Sequence, residues 1–211
     1  MGQSFKGYFE VIKDGLFMLF IFYLVLVTLV YMQMNSSLAV FLRDNYGFTE
    51  KQFGWLISLN AGMVVGFQFL ITRSISSYDS MKLMAVGSII YAIGFGMYGF
   101  ISTVPMIFLT MIIITIGEMI FSPTGQKLAA QFAPEDMRGR YMAVFGFAWA
   151  IPSIFGVILA GLIMDNYNPK LVWYIAIGIC IIAMFGFLTL QTLAKERFSP
   201  HKNTNFEPEN Q

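Results

Sequence analysis

The stretch Ile116–Tyr141, IGEMIFSPTGQKLAAQFAPEDMRGRY, determines how the chain is interpreted. It places one carboxylate, Glu118, inside an apolar run, and the proline at Pro123 predicts that the helix ends there. A short loop carrying Arg138 and Arg140 follows. An ionisable group inside a membrane helix is costly and therefore marks a functional hypothesis by default. Glu118 is the first candidate functional residue.

The composition around this stretch is that of an integral membrane protein. Of the 211 residues, 57% are hydrophobic and 12% are charged, whereas soluble domains carry roughly 25% charged residues. Apolar runs of about 20 residues recur, the length that crosses a bilayer core of about 30 Å as a helix. The single cysteine, Cys180, excludes a disulfide framework.

Six transmembrane helices are predicted, and they form one domain over residues 16–192. Residues 1–15 are a cytoplasmic or interfacial lead-in, in which residues 3–14 suit a short interfacial helix. Residues 193–211 are expected to be a disordered cytoplasmic tail. The predicted spans are about 16–34, 53–71, 83–101, 104–121, 141–164 and 171–190.

Local signals predict how some of these helices begin and pack. Thr49-Glu50-Lys51-Gln52 is a capping box that opens the second span, and a polar loop from Arg43 to Gly47 precedes it. The spacing Gly62-x3-Gly66 permits close helix contact. The glycine-rich third and fifth spans are predicted packing surfaces, and the two residues Ser102-Thr103 predict a tight hairpin between the third and fourth spans.

The basic residues predict the orientation of the chain. With the N-terminus inside, ten Lys and Arg residues lie on the cytoplasmic side and three, Arg43, Lys51 and Lys170, lie outside. Both termini are therefore expected to be cytoplasmic. Glu118 then lies about 20 Å along the fourth helix, in the inner third of the membrane.

Glu118 has two interpretations. In the first it is a protonatable group that loads or releases a proton, or pairs with a cationic substrate, as the protein changes conformation. In the second it forms a fixed ion pair with one of three cytoplasmic gate candidates, Arg73, Arg138 or Arg140. A gate that breaks and re-forms such a pair would satisfy both.

Uncharged polar residues and helix breakers complete the set of candidates. Four polar residues of the first two helices form either a shared cavity or hydrogen bonds between helices worth about 1 kcal/mol each. These are Gln33, Asn35, Asn60 and Gln68. Helix bending is expected at Pro123, Pro152 and Gly156.

Enzymatic and nucleic-acid functions find no support in the sequence. The single histidine, His201, lies in the tail, no His/Cys/carboxylate cluster suits a metal, and the GxxxxGK[ST] phosphate loop is absent. No basic patch suits a nucleic acid. We expect no catalytic residue, no cofactor, no metal and no nucleic-acid partner.

Three stretches resemble the major facilitator superfamily of transporters, chiefly its multidrug-efflux branch. Gly117-Glu118-x4-Pro123 with residues 133–142, APEDMRGRYM, resembles the tenth helix, the following loop and the eleventh helix. The run around Tyr31, Gln33 and Leu38-x3-Leu42-Arg43-Asp44 resembles the seventh helix. Phe53-Gly54-x5-Asn60 with Gln68-x3-Thr72-Arg73 resembles the eighth.

The resemblance covers residues 5–192 but only the C-terminal half of a twelve-helix fold. It implies an all-α membrane protein, one half of that fold, built as two inverted three-helix repeats. It implies half of a secondary active transporter in a prokaryotic plasma membrane, exporting small amphipathic solutes or drugs with protons. Its partners would be the lipid bilayer, the small-molecule substrate, protons, and a complementary N-terminal six-helix half or a second copy of itself.

Two alternatives remain open. Glu118-x3-Ser122-Pro123-x-Gly125 also resembles the tenth helix of proton-coupled oligopeptide symporters, whose glutamate helps to bind substrate and couple protons. The chain is otherwise a non-transporting membrane subunit or a truncated gene product. The loop signature of the family's first half, G-x3-D-R-x-G-R-R, has no counterpart in residues 72–79, where Arg73 alone suits a gating base.

Overall fold

The computed structural model describes residues 2–198, and in that range the regular elements are all helices. Short 3-10 turns at Met32–Asn35, Tyr98–Phe100 and Glu135–Met137 join or extend them. The α-helices are α1 (Gly2–Lys13), α2 (Gly15–Tyr31), α3 (Ser37–Tyr46), α4 (Glu50–Ile75), α5 (Ser80–Met97), α6 (Val104–Phe132), α7 (Arg138–Asn166), α8 (Leu171–Leu193) and α9 (Lys195–Phe198).

Six of these segments are long and apolar enough to cross a membrane, which confirms the six predicted spans. They are Gly15–Asn35, Glu50–Ile75, Ser80–Phe100, Val104–Phe132, Glu135–Asn166 and Leu171–Leu193. A helix, α1, covers the residues for which an interfacial helix was predicted, and its Val11 is fully buried.

The first span differs from its prediction at its far end. After α2 the backbone tightens into the 3-10 turn Met32–Asn35 and then continues as α3. The loop predicted from Arg43 therefore begins only at Gly47, whose φ of 62° ends α3 in the left-handed conformation that glycine adopts without strain. The capping box that follows is confirmed, because the Thr49 and Gln52 side chains each bond the other's backbone N–H.

The helix end predicted at Pro123 is wrong, because α6 continues through it to Phe132. Proline has no N–H, so the carbonyl four residues earlier, that of Met119, loses its partner within the helix. Gln68 of α4 donates its Nε2 hydrogen to this carbonyl oxygen at 3.0 Å. A neighbouring helix thus supplies the bond that the proline removes, as apolar surroundings require.

The second internal proline, Pro152 of α7, is accommodated in the same way. The carbonyl that it leaves without a helix partner belongs to Ala148. Thr28 of α2 donates its hydroxyl hydrogen to that oxygen at 2.6 Å. Two turns further along α7, Gln33 Nε2 donates to the Gly156 carbonyl at 3.1 Å. These bonds fasten α2 along the proline-containing part of α7.

Small residues bring α5 against its neighbours, as predicted. A Cβ atom on Gly94 would lie 2.6 Å from Ile114 of α6, and one on Gly96 would lie 2.5 Å from Ile177 of α8. By contrast, nothing lies within 4 Å of a Cβ built on Gly62 or Gly66 of α4. The close contact predicted from Gly62-x3-Gly66 is therefore not made within residues 2–198.

Burial is uneven across the bundle. In the most apolar window of each span, 61% of the residues of α5 are buried, against 11% for α4 and 22% for the span that contains α7. Both helices flank α6, and their outward sides carry exposed large side chains such as Trp55, Phe69, Phe147 and Ile154. We call the exposed sides of α4 and α7 the open face.

A cluster that we call the clamp joins four helices at one end of the bundle. Arg197 of α9 donates to both Asp14 carboxylate oxygens at 2.8 and 2.7 Å and to the Phe132 carbonyl at 2.7 Å. The Tyr141 hydroxyl of α7 donates to Asp14 at 2.8 Å, and the Phe17 N–H of α2 does so at 3.2 Å.

The stretch 195–198 was expected to be part of a disordered tail. It is instead helical, and the bonds of Arg197 hold it against the bundle. Residues 199–211 lie outside the described range.

The clamp keeps the Asp14 carboxylate ionised. Partial burial by itself raises the pKa of Asp14, but the hydrogen bonds from Arg197, Tyr141 and the Phe17 N–H, with the positive charge of Arg197, outweigh it and lower the pKa below its usual value.

The clamp lies at what we call the basic end, where α2, α5 and α7 begin and α4, α6 and α8 end. Most basic residues of the described chain lie there: Lys13, Arg73, Lys82, Lys127, Arg138, Arg140, Lys195 and Arg197.

Replacing Thr28 with Val tests the proline bond. The change keeps the side-chain shape but leaves the Ala148 carbonyl without a donor in apolar surroundings, so we expect a loss of about 1 kcal/mol in the free energy of unfolding. Thermal unfolding in detergent measures it. Thr110→Val is the matched control, because buried Thr110 bonds only the Met106 carbonyl of its own helix. Equal losses in both variants would contradict the role given to Thr28.

Candidate functional site

Glu118 accepts a hydrogen bond at each carboxylate oxygen from a different helix. The Tyr31 hydroxyl, at the end of α2, donates to Oε1 at 2.7 Å. The Asn60 amide of α4 donates to Oε2 at 2.8 Å. The same Asn60 nitrogen donates to the Thr115 hydroxyl at 3.0 Å, and Thr115 in turn donates to the Met111 carbonyl at 2.7 Å. We call Tyr31, Asn60, Thr115 and Glu118 the carboxylate cluster.

Sequence spacing explains why these groups meet. Thr115 and Glu118 are three residues apart on α6, so both side chains lie on one face of that helix. Asn60 lies in the middle of α4, which packs against this face, and it is buried. Its amide has two hydrogens and both are used, one by each partner on α6.

Glu118 lies at the centre of a helix that is longer than predicted. Because α6 runs from Val104 to Phe132, Glu118 is fourteen residues from either end of the helix, or about 21 Å from each at 1.5 Å per residue. The distance from Val104 is the predicted one, and the added length of the helix lies beyond Pro123. Glu118 is therefore at the midpoint of α6.

Aromatic rings surround the Tyr31 donor. Its ring meets that of Trp149 of α7 edge-on, with centroids 5.7 Å apart, and lies 6.0 Å from that of Tyr91 of α5. Side chains of α2 and α4 therefore bond the Glu118 carboxylate, and rings of α5 and α7 pack on the Tyr31 ring. These ring contacts hold Tyr31 beside Glu118, whose side chain is half-buried.

The predicted ion pair of Glu118 is not formed. Among residues 7–198, whose side chains the structure describes, the ion pairs are Arg43 with Asp44 and Arg197 with Asp14. Arg73 and Arg138 are exposed at the basic end. The Arg140 guanidinium lies against Gly7 of α1, where any larger side chain would meet it. The donors to Glu118 are neutral, and the three gate candidates are not brought together with it.

The four polar residues of the first two spans do not share one cavity. Only Asn60 reaches Glu118. Gln33 is buried between α2 and α7, where it donates to the Leu29 and Gly156 carbonyls and accepts from the Ser37 hydroxyl. Asn35 is exposed, and Gln68 bonds the Met119 carbonyl and Thr72. Gln33 and Gln68 each form a hydrogen bond to another helix, which is the second of the two roles predicted for them.

A cleft of about 760 Å³ opens between α4, α6 and α7, one turn of α6 beyond Glu118. Amide and hydroxyl groups line one part of it and aromatic rings the other. The lining residues are Gln68, Thr72, Ser122, Pro123, Gln126, Phe145 and Trp149. Trp149 connects the cleft to the carboxylate cluster through its contact with the Tyr31 ring.

Sequence reasoning missed Tyr31, Thr115 and Trp149 as members of the site. Thr115 had a local signal, since a hydroxyl three residues before a buried carboxylate shares its helix face. Tyr31 and Trp149 had none, because contacts over 87 residues, as for Tyr31 with Glu118, depend on how the helices assemble. Within the described residues no group of His, Cys, Asp or Glu could hold a metal ion.

Comparison with known proteins places the chain among transporters. The sequence model of the Major Facilitator Superfamily matches residues 16–210. An uncharacterised MFS-type transporter of Bacillus subtilis, YttB, is 26% identical over 183 residues, covering 86% of this chain and 45% of its own length. The multidrug efflux pump SdrM of Staphylococcus aureus is 25% identical over 166 residues, covering 70% and 37%.

Two further comparisons extend this. A Na⁺, Li⁺, K⁺/H⁺ antiporter of Planococcus maritimus is 23% identical over 160 residues, covering 69% of this chain and 38% of the antiporter. A POT family transporter, solved with a thioalcohol conjugated peptide, superposes with a TM-score of 0.70 at 16% identity, covering 93% of this chain and 46% of that one. The last likeness is one of fold. The chain spans about half the length of the proteins that it matches.

Replacing Asn60 with Ala tests whether the cluster is held by its amide. The variant leaves Glu118 Oε2 and Thr115 without their donor, and we expect the free energy of unfolding to fall by about 1–2 kcal/mol. Thermal unfolding in detergent measures it. Asn35→Ala is the matched control, since Asn35 is exposed. A loss in the control as large as that in Asn60→Ala would contradict the cluster.

Proposed function

Because the chain belongs to the Major Facilitator Superfamily, we propose that it forms one half of a proton-coupled secondary transporter for small amphipathic solutes. It is an integral membrane protein with six membrane-crossing helices, and its family consists of transporters rather than enzymes. The observation that carries the proposal is the Glu118 carboxylate at the middle of α6, bonded by two neutral donors.

Neutral partners allow Glu118 to exist in two protonation states. When it is ionised, both oxygens accept, as the geometry has them. When it is protonated, its O–H needs an acceptor, and the Tyr31 oxygen supplies one because a phenol both donates and accepts. A fixed Arg or Lys partner would favour the ionised state alone. This difference supports a proton-loading role over that of a structural ion pair.

Proton binding would also alter the contacts between helices. Tyr31 belongs to α2, Asn60 to α4 and Glu118 to α6, so a change at one carboxylate reorganises bonds to two other helices. In our proposal, protonation weakens the charge-assisted bonds and loosens α2 and α4 from α6. This couples a proton to a change in conformation.

The cleft beside the cluster supports an amphipathic substrate. Amides and hydroxyls at Gln68, Thr72, Ser122 and Gln126 would fix polar groups, and the rings of Phe145 and Trp149 would contact apolar ones. The names of the multidrug efflux pump and the cation/H⁺ antiporter among the relatives fit export driven by protons. The likeness to the POT family transporter supports the fold alone, and we infer no peptide substrate from it.

A second six-helix unit would complete the site. The open face leaves the glycines of α4 and large apolar side chains uncovered, and the chain spans about half the length of its relatives. Transporters of this kind bind substrate at the interface between two repeats. We therefore place the second unit, a complementary half or another copy, on the open face.

Cross-linking from Gly62 tests this placement. In a Cys180→Ser background, which removes the one native thiol, Gly62→Cys should cross-link to a second unit in membranes, because Gly62 lies on the open face without neighbours. Phe185→Cys, exposed on α8, is the matched control. Gel mobility and mass spectrometry identify the product. Equal cross-linking from both positions, or none from Gly62→Cys, would contradict the placement.

Glu118→Gln tests proton coupling. The chain, with any complementary unit recovered by cross-linking, is reconstituted in liposomes that enclose a pH-sensitive dye. A lipophilic cationic substrate should then drive proton movement through the wild type, whereas Glu118→Gln should fall to the rate of protein-free liposomes because the amide cannot be protonated. Glu135→Gln, which removes an exposed carboxylate, should keep the wild-type rate.

Two outcomes would count against the proposal. Proton movement by Glu118→Gln at the wild-type rate would remove Glu118 from coupling. A wild-type protein that moves neither the cationic substrate nor protons, although its second unit is present, would favour the non-transporting subunit instead.

A further inference from the structure

A groove of about 1020 Å³ lies at the basic end between the start of α5 and the end of α8. We propose that it binds the phosphate headgroup of an anionic phospholipid. It is lined by Asp79, Met81, Lys82, Gln191, Thr192, Lys195 and Phe198. This site is separate from the carboxylate cluster and does not depend on transport.

The charges of the groove suit an anion. Lys82 and Lys195 both line it, and neither forms an ion pair with a side chain of residues 7–198. The one lining carboxylate, Asp79, caps α5 by accepting from the Lys82 N–H at 3.0 Å. Glu196 is exposed on α9 and is not part of the lining. Two ammonium groups, with the Gln191 amide and the Thr192 hydroxyl, therefore offer donors to a phosphate.

The groove lies at the level of lipid headgroups. Lys82 is in the first turn of the span Ser80–Phe100, and Lys195 follows the span Leu171–Leu193 by two residues. Both lysines thus mark the boundary where apolar helix meets water. Basic pockets between membrane helices at such a boundary are typical sites for anionic headgroups.

An apolar track runs from the groove into the membrane. On α5, Val86 and Ile93 follow Lys82 by four and eleven residues, which keeps all three on one helix face. On α8, Leu188 and Phe185 precede Thr192 on a matching face. All four apolar side chains are exposed. A headgroup held by the lysines would lay its acyl chains along these two neighbouring helices.

The clamp gives the groove a fixed wall. Arg197 is held by Asp14 and the Phe132 carbonyl, and the Phe198 ring packs on that of Phe132 with centroids 5.0 Å apart. These contacts fix α9, which carries both Lys195 and Phe198. One side of the groove is therefore preorganised by the clamp and by the packing of Phe198 on Phe132.

Native mass spectrometry of the full chain in detergent tests the site. Phosphatidylglycerol is titrated against phosphatidylcholine with the same acyl chains, and the wild type should prefer phosphatidylglycerol. The double variant Lys82→Gln/Lys195→Gln should lose about 25-fold in affinity for phosphatidylglycerol, about fivefold for each lysine. Its affinity for phosphatidylcholine should stay unchanged.

Two further variants separate a built site from diffuse charge. Lys127→Gln removes the same charge from α6 at the same end and should keep the wild-type preference. Asp14→Asn weakens the clamp, frees Lys195 and should lose about fivefold. Thermal unfolding of every variant shows that it remains folded.

Three results would overturn the proposal. The first is an equal affinity of the wild type for both lipids. The second is a loss in Lys127→Gln as large as that in the double variant. The third is inorganic phosphate competing as well as the lipid, which would make the groove a site for soluble anions.

Discussion

A polar group surrounded by apolar helices needs a partner, and this structure depends on how that requirement is met. Each internal proline removes an N–H, and each carbonyl thereby freed accepts a hydrogen bond from a side chain of another helix. The Glu118 carboxylate also needs hydrogen-bond donors in these surroundings, and side chains of two other helices supply them. The bonds that compensate for these groups are also the bonds that tie α2 and α4 to α6 and α7.

Much of the fold could be predicted from local patterns. The six spans, the interfacial helix, the Thr49 capping box and the packing role of the third span's glycines all depend on residues near one another in sequence. The end of α6 could not be predicted, because Pro123 is tolerated through Gln68, a donor on another helix. That error shortened the predicted helix by eleven residues at its far end, from Phe132 to Phe121.

Part of the site could be predicted, because Glu118 is a carboxylate within an apolar span. Glu118 stands out in any apolar run, and Asn60 was among four polar candidates. Which of the four polar residues contacts Glu118 depends on how each helix is rotated about its own axis. The residue type alone does not determine that rotation. Gln33 and Gln68 are engaged by backbone carbonyls that proline and glycine positions make available, so their polarity serves the scaffold. Packing at the open face could not be predicted from the residue types either, because Gly62 and Gly66 have no partner among the described helices.

The clamp also has a consequence for biosynthesis. Asp14 precedes the first span and Arg197 follows the last, 183 residues later. Since the N-terminal part of a chain is made first, Asp14 waits for its partner until all six spans have left the ribosome. Until then its carboxylate has only the α2 backbone and, later, the Tyr141 hydroxyl. Closure of the clamp therefore follows the synthesis of the sixth span, and a chain that stalls before α8 lacks this tie between Asp14 and α9.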